Sequence, residues 1–125
     1  MQTVLDTNVL IRFFTNDIPA KADKVEELLE KEKKIVIPDV VFPELEYILM
    51  KKYGLPRSKV IDAYLFLLSQ ENVKKSTYIK KAIEIYQKTK LDMADCIIAA
   101  ESLKGLLASF DKNLLRVEKV KAFWK

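Results

Sequence analysis

Four acids stand beside apolar runs in a chain that contains no histidine. Asp6 follows Val4-Leu5, and Glu44 lies in Val40-Val41-Phe42-Pro43-Glu44-Leu45. Asp95 lies in Met93-Ala94-Asp95-Cys96-Ile97-Ile98-Ala99-Ala100, and Asp111 follows Leu106-Leu107-Ala108-Ser109-Phe110. The apolar flanks read as core, where a lone ionised carboxylate is costly unless it is paired or binds a metal. The economical reading is one pocket of clustered acids that a divalent cation makes tolerable. Without histidine, Ser-His-Asp and Cys-His catalysis are excluded, and one cysteine, Cys96, makes zinc a poor fit. Oxygen ligands favour Mg²⁺ or Mn²⁺.

Each acid also has a plainer reading. Asp6 precedes a helical pattern and could cap it. Glu44, one turn into an apolar helix, would complement the helix dipole. Asp111 suits a turn after a strand. Asp95 is harder to explain away: it reads as mid-helix, among apolar residues, where Asp has poor propensity and no capping task. Its plain reading is a core carboxylate paired with a lysine or a backbone donor. Asp92, three residues earlier on the same helical face, either joins the site or caps the helix starting near Met93. Glu46 points elsewhere and reads as solvent-facing. Ser109 and Asn113 are polar neighbours able to hold water or support the acids, although each is more often just a turn or strand residue, and Thr7 could cap the first helix in place of Asp6. Only a shared site explains all four acids together.

The elements that must position these residues alternate between strand and helix. Gln2 to Leu5 reads as a strand, Thr7 to Phe14 as a helix, and a second helix opens at Pro19, with Ala22, Val25, Leu28 and Leu29 at helical spacing. Ile35 to Ile37 is a second strand. Pro38-Asp39 opens a helix that carries Glu44 and stops before Gly54, and Pro56 to Ser69 is another. Val73 marks a possible third strand. Thr77 caps a helix to about Lys90, with Tyr78, Ala82, Ile83, Ile85 and Tyr86 inward. Met93 to Leu103 is expected as a central buried helix, Leu106 to Phe110 as a strand, Lys112 to Leu115 as a short helix, and Val117 to Phe123 as an edge strand. This is an α/β pattern: a short parallel sheet with helices on both faces. Such sheets bind ligands beyond the carboxyl ends of their strands, where Asp6 and Asp111 are expected.

At 125 residues the chain is long enough for one domain, residues 1–125, burying roughly two-thirds of its unfolded surface. No signal peptide or membrane-spanning run is seen, and the cysteine usage fits a cytoplasmic setting. The net charge of +4 around an acidic site suits a polyanionic substrate, although a lysine-rich solvated surface is the plainer reading.

Leu5-Asp6-Thr7-Asn8-Val9-Leu10 resembles the opening motif of PIN domains. Pro43-Glu44-Leu45-Glu46-Tyr47-Ile48-Leu49 is similar to the second acidic motif of VapC-type toxins, Asp92 to Ala100 to the third, and Ala108-Ser109-Phe110-Asp111 to the fourth. The ordered set spans essentially the whole chain. The resemblance implies a three-layer PIN-like fold, a metal-dependent ribonuclease, a homodimer and, in VapC-type members, a cognate VapB-like antitoxin. By motif position Asp6, Glu44, Asp95 and Asp111 match the acidic quartet, with Thr7 and Ser109 beside it. Some relatives carry a further acid where Asn113 stands here, so a second metal lacks that ligand.

The expected chemistry is metal-assisted hydrolysis of RNA. Asp6 and Asp95 would bind the cation, Glu44 would complete its shell or orient water, and Asp111 would bind directly or through water. Arg12, Lys112 and Arg116 are candidates for gripping RNA at the rim. The restraining antitoxin is expected to direct an arginine or lysine at the acids. The apolar Tyr64 to Leu68 run and Ile48-Leu49-Met50 would supply the dimer surface, unless the same chain covers them. Two alternatives stand: a non-catalytic RNA-binding or partner-docking domain, and phosphoryl transfer through an aspartyl phosphate. Asn8, where related phosphatases carry a second Asp, argues against the last.

Overall fold

The computed structural model describes residues 1–124. It is mostly helical, with a two-stranded parallel sheet, and its Cα packing forms two compact units, Met1–Lys75 and Ser76–Lys125.

In the first unit, β1 (Thr3–Val4) leads into α1 (Thr7–Thr15). Asp6 is extended and caps α1, and Asn16 closes it in the left-handed region at φ 51°, a conformation that Asn tolerates. Pro19 stands in the first turn of α2 (Pro19–Lys31), where its missing N–H costs nothing. Then come β2 (Ile35–Val36), α3 (Val41–Tyr47) and α4 (Arg57–Ser69). β1 and β2 pair in parallel, Thr3 opposite Ile35 and Val4 opposite Val36. Val73 makes only an isolated parallel bridge to Ile35 where a third strand was possible.

The helix expected from Pro38-Asp39 starts at Val41, after a turn, and continues as a π-helical turn over Ile48–Lys52. No Gly or Pro lies in that turn, and nothing in the sequence announces it. Much of the apolar surface expected for a dimer is covered by the chain itself. Tyr64, Leu67 and Leu49 are buried, and the Tyr64 hydroxyl donates to the Phe42 carbonyl at 2.5 Å. Phe66 packs against Phe13 and Phe14 at ring distances of 5.3 and 5.9 Å, which leaves Leu65 exposed.

The second unit holds α5 (Thr77–Lys88), α6 (Met93–Ser102) and the short α7 (Lys112–Leu115). Ser76, not Thr77, caps α5, its hydroxyl accepting from the Ile79 N–H at 3.3 Å. Tyr78 is exposed rather than inward, while Ala82, Ile83, Ile85 and Tyr86 are buried as expected. α6 is less buried than its composition suggests: Met93, Cys96, Ala99 and Ala100 face the core, and Ala94 and Ile98 do not. The two strands expected at residues 106–110 and 117–123 reduce to one parallel bridge, Leu107 to Ala122. Lys119, three residues before Ala122, stands in the left-handed region at φ 71°, outside strand conformation.

Candidate active site

The first unit brings Asp6, Thr7 and Glu44 to one open cleft of about 330 Å³, with Asn8, Pro38 and Val40 also on its wall. Asp6 serves as the cap of α1, its Oδ1 accepting the Val9 N–H at 3.1 Å. The plainer reading of Asp6 therefore holds. It does not conflict with a ligand role, because a cap uses one oxygen and fixes the carboxylate beside the helix N-terminus. Thr7 is the next residue and is only 8% exposed. Its hydroxyl donates to Glu44 Oε1 at 2.7 Å, a bond across 37 positions of sequence. Glu44 lies in the first turn of α3, where the dipole also favours an anion.

In the second unit, Asp92 caps α6, its Oδ1 accepting the Asp95 N–H at 2.9 Å. Asp95 thus stands in the first turn rather than mid-helix, a position the helix dipole favours. Burial pushes its carboxyl above the ordinary carboxylate value, and the charges of Asp92 and Asp111 push it further. Asp111 caps α7, its Oδ1 accepting from the Asn113 N–H at 2.9 Å and the Leu114 N–H at 3.3 Å. The Ser109 hydroxyl accepts from the Asp111 N–H at 3.0 Å and fixes the turn. Asn113 contributes a backbone donor, and its side chain is exposed.

One expectation needs correcting. Asp6, Glu44 and Asp111 are exposed, not set in apolar surroundings. Leu5, Phe42, Leu45 and Leu107 turn inward, but the acids stand at helix starts on the solvent side, and Val4, Val40 and Phe110 beside them are exposed as well. Only Asp95 is partly buried, so the desolvation argument applies to it alone.

Among the proposed cationic residues, Arg12 is already engaged. Its guanidinium pairs with Asp17 Oδ2 at 2.6 Å, and the Tyr53 hydroxyl donates to the same oxygen at 2.8 Å. This network ties α1 to the segment after the π turn, and no sequence signal pointed to it. Lys112 and Arg116 are exposed. Glu46 is not solvent-facing: its side chain is 13% exposed and lies 3.9 Å from Arg57.

Among the described residues, neither unit contains three or more acid or cysteine side chains grouped closely enough to hold a metal ion. The donor chemistry nevertheless fits a hard cation. The candidates are all carboxylates, and Asp95 lies in a negative field that a cation would relieve.

The PIN domain family model matches residues 3–120 of the chain. The chain belongs to the PIN domain family. Within it, this PIN domain is similar to a VapC ribonuclease from Aquifex aeolicus (strain VF5), at 30% identity over 107 residues that cover 81% of this chain and 78% of the relative. The matched stretch takes in residues of both compact units, so the family relationship belongs to the chain rather than to one unit. No helix among the described residues is long and apolar enough to cross a membrane.

Proposed function

We propose that this PIN domain is a metal-dependent endoribonuclease and the toxin of a toxin–antitoxin pair. The observation that carries the reading is its likeness to a VapC ribonuclease over four-fifths of the chain. Supporting it, the acids of all four motifs are present in order. The reading includes a single three-layer PIN-like domain over residues 1–125, acting in the cytoplasm.

Asp6, Glu44, Asp95 and Asp111 would hold Mg²⁺ or Mn²⁺ through carboxylate oxygens. The bound ion supplies charge stabilisation at the phosphate and lowers the pKa of water. The chain's own residues set the geometry. The cap of α1 fixes Asp6, and Thr7 holds one oxygen of Glu44, leaving the other to orient or deprotonate the attacking water. Asp92 and Ser109 fix the backbone of Asp95 and Asp111 through one hydrogen bond each. The exposed Lys112 and Arg116 would meet substrate phosphates. Arg12, held by Asp17, keeps the end of α1 in place rather than gripping RNA.

Incubating the protein with single-stranded RNA, with and without EDTA, tests the nuclease reading. Cleavage abolished by EDTA and restored by Mg²⁺ is expected. RNA binding without cleavage would favour a non-catalytic PIN-like RNA-binding domain, and trapping of a covalent phosphate would favour the aspartyl-phosphate alternative. The toxin reading predicts arrested growth when the chain is expressed alone and rescue by a VapB-like antitoxin that directs an arginine or lysine at the acids. Its binding should weaken as Mg²⁺ or salt rises. A homodimer built on α4 and the π turn is tested by solution mass at tens of micromolar.

A further inference from the structure

Phe110 is 88% exposed, the least covered aromatic ring among the described residues, and it directly precedes the motif acid Asp111. Leaving a whole phenyl ring in water forgoes the stabilisation that burying it would bring. The ring is nonetheless well placed. Trp124 lies against it with ring centroids 4.9 Å apart and planes only 6° from parallel, and Phe123 meets the indole edge-on at 5.3 Å. Backbone bonds hold the stack. The Leu107 N–H donates to the Lys121 carbonyl at 2.7 Å, and the Phe123 N–H donates to the Leu107 carbonyl at 2.8 Å. The parallel bridge of Leu107 to Ala122 sends both segments out in the same direction, so Phe110 and Trp124 emerge side by side. The second face of Phe110 is open to solvent.

We propose that Phe110, backed by Trp124, is a stacking platform for an unpaired nucleobase of the RNA substrate. The proposal rests on the ribonuclease reading and deepens it: a base held on Phe110 fixes the strand one residue from Asp111. A flat ring stacked in parallel on a second ring extends naturally to a third π-layer, and such stacking accepts any base. The surrounding charge also favours a polyanion. Residues 109–124 carry Lys112, Arg116, Lys119 and Lys121 against Asp111 and Glu118, and all six are exposed. A stacked base flanked by lysines able to meet its phosphates is the usual composition of a single-strand site. This platform selects unpaired RNA, because a base inside a duplex cannot reach it.

The test is binding of a dye-labelled single-stranded octaribonucleotide, followed by anisotropy in EDTA to prevent cleavage. An octamer of abasic residues carries the same phosphate charge without bases. Wild type is expected to prefer the base-bearing strand, and Phe110→Leu to lose about tenfold in affinity for that strand alone. Phe110→Tyr, which keeps the ring, should restore binding, and a shift in emission from Trp124, the only tryptophan, should accompany it. Equal binding of the two octamers by wild type, or unchanged affinity in Phe110→Leu, overturns the platform. So does a Phe110→Leu protein that loses self-association or antitoxin binding yet keeps its RNA affinity, which would make the patch a protein interface. Cleavage in Mg²⁺ is scored separately. Base-dependent binding without cleavage sinks the nuclease reading and leaves the platform, whereas cleavage with unchanged KM and affinity in Phe110→Leu sinks the platform alone.

Discussion

The acids of the two compact units are held in different ways. In Met1–Lys75, each candidate acid has a donor of its own: Asp6 accepts the Val9 N–H and Glu44 the Thr7 hydroxyl. In Ser76–Lys125, Asp92 and Asp111 accept backbone N–H groups as caps, but Asp95 is partly buried beside both of those charges. In the first arrangement hydrogen bonds preorganise the carboxylates. The second stores repulsion that a cation would relieve.

The largest expected effect breaks both halves alike. Asp6→Asn and Asp95→Asn keep side-chain shape and remove a charge, so the rate of RNA cleavage should fall at least about 10- to 100-fold in each. Full activity of both variants at saturating Mg²⁺ would remove these residues from the site.

Stability should then separate the halves. In metal-free protein at neutral pH, Asp95→Asn is expected to raise the urea midpoint. A carboxyl whose folded pKa is raised holds its proton more tightly when folded, so stability is lost as pH rises from the ordinary carboxylate value through the raised one. The variant should abolish that loss, and Mg²⁺ should reduce it in wild type. Asp6→Ala should do the opposite and cost about 1 kcal/mol, because it removes a helix cap. An Asp95→Asn protein less stable than wild type would show that the repulsion is unimportant.

A smaller effect is expected at Thr7. Thr7→Val keeps the volume but leaves Glu44 without its donor, at a cost of about 1 kcal/mol of stability. Cleavage should fall severalfold, and Thr7→Ser should recover most of it. Equal kcat and pH profile in Thr7→Val would show that Glu44 needs no orientation.

The smallest concerns Asp17, outside the candidate site. The Tyr53 hydroxyl, then Thr15 and Arg12, hold its carboxyl below the ordinary value. The stability from this network is present above the ordinary carboxylate pKa and is lost as pH falls through the lowered one. Asp17→Asn should therefore flatten acid unfolding slightly without changing cleavage near neutrality.

Local signals carried much of this chain. Pro19 started α2, the Asp6 cap started α1, and the parallel β1–β2 pair followed from strands alternating with helices. The motif acids identified the family because their order and spacing survive without any knowledge of contacts. Exposure was misjudged for a physical reason. Apolar neighbours predict a buried acid only where they are buried themselves, and Val4, Val40 and Phe110 are exposed together with Asp6, Glu44 and Asp111.

The sequence by itself determined the residue chemistry: carboxylates without histidine, hence hard oxygen ligands, and an ordered set of motifs that specifies a PIN domain. Tertiary structure alone decided which groups meet. Thr7 reaches Glu44 across 37 positions, Arg12 pairs with Asp17 under Tyr53, and the segments expected as two strands keep a single bridge that lays Phe110 against Trp124. Periodicity and propensity are properties of neighbours along the chain. Hydrogen bonds, charge fields and ring stacks depend on neighbours in space, which packing chooses.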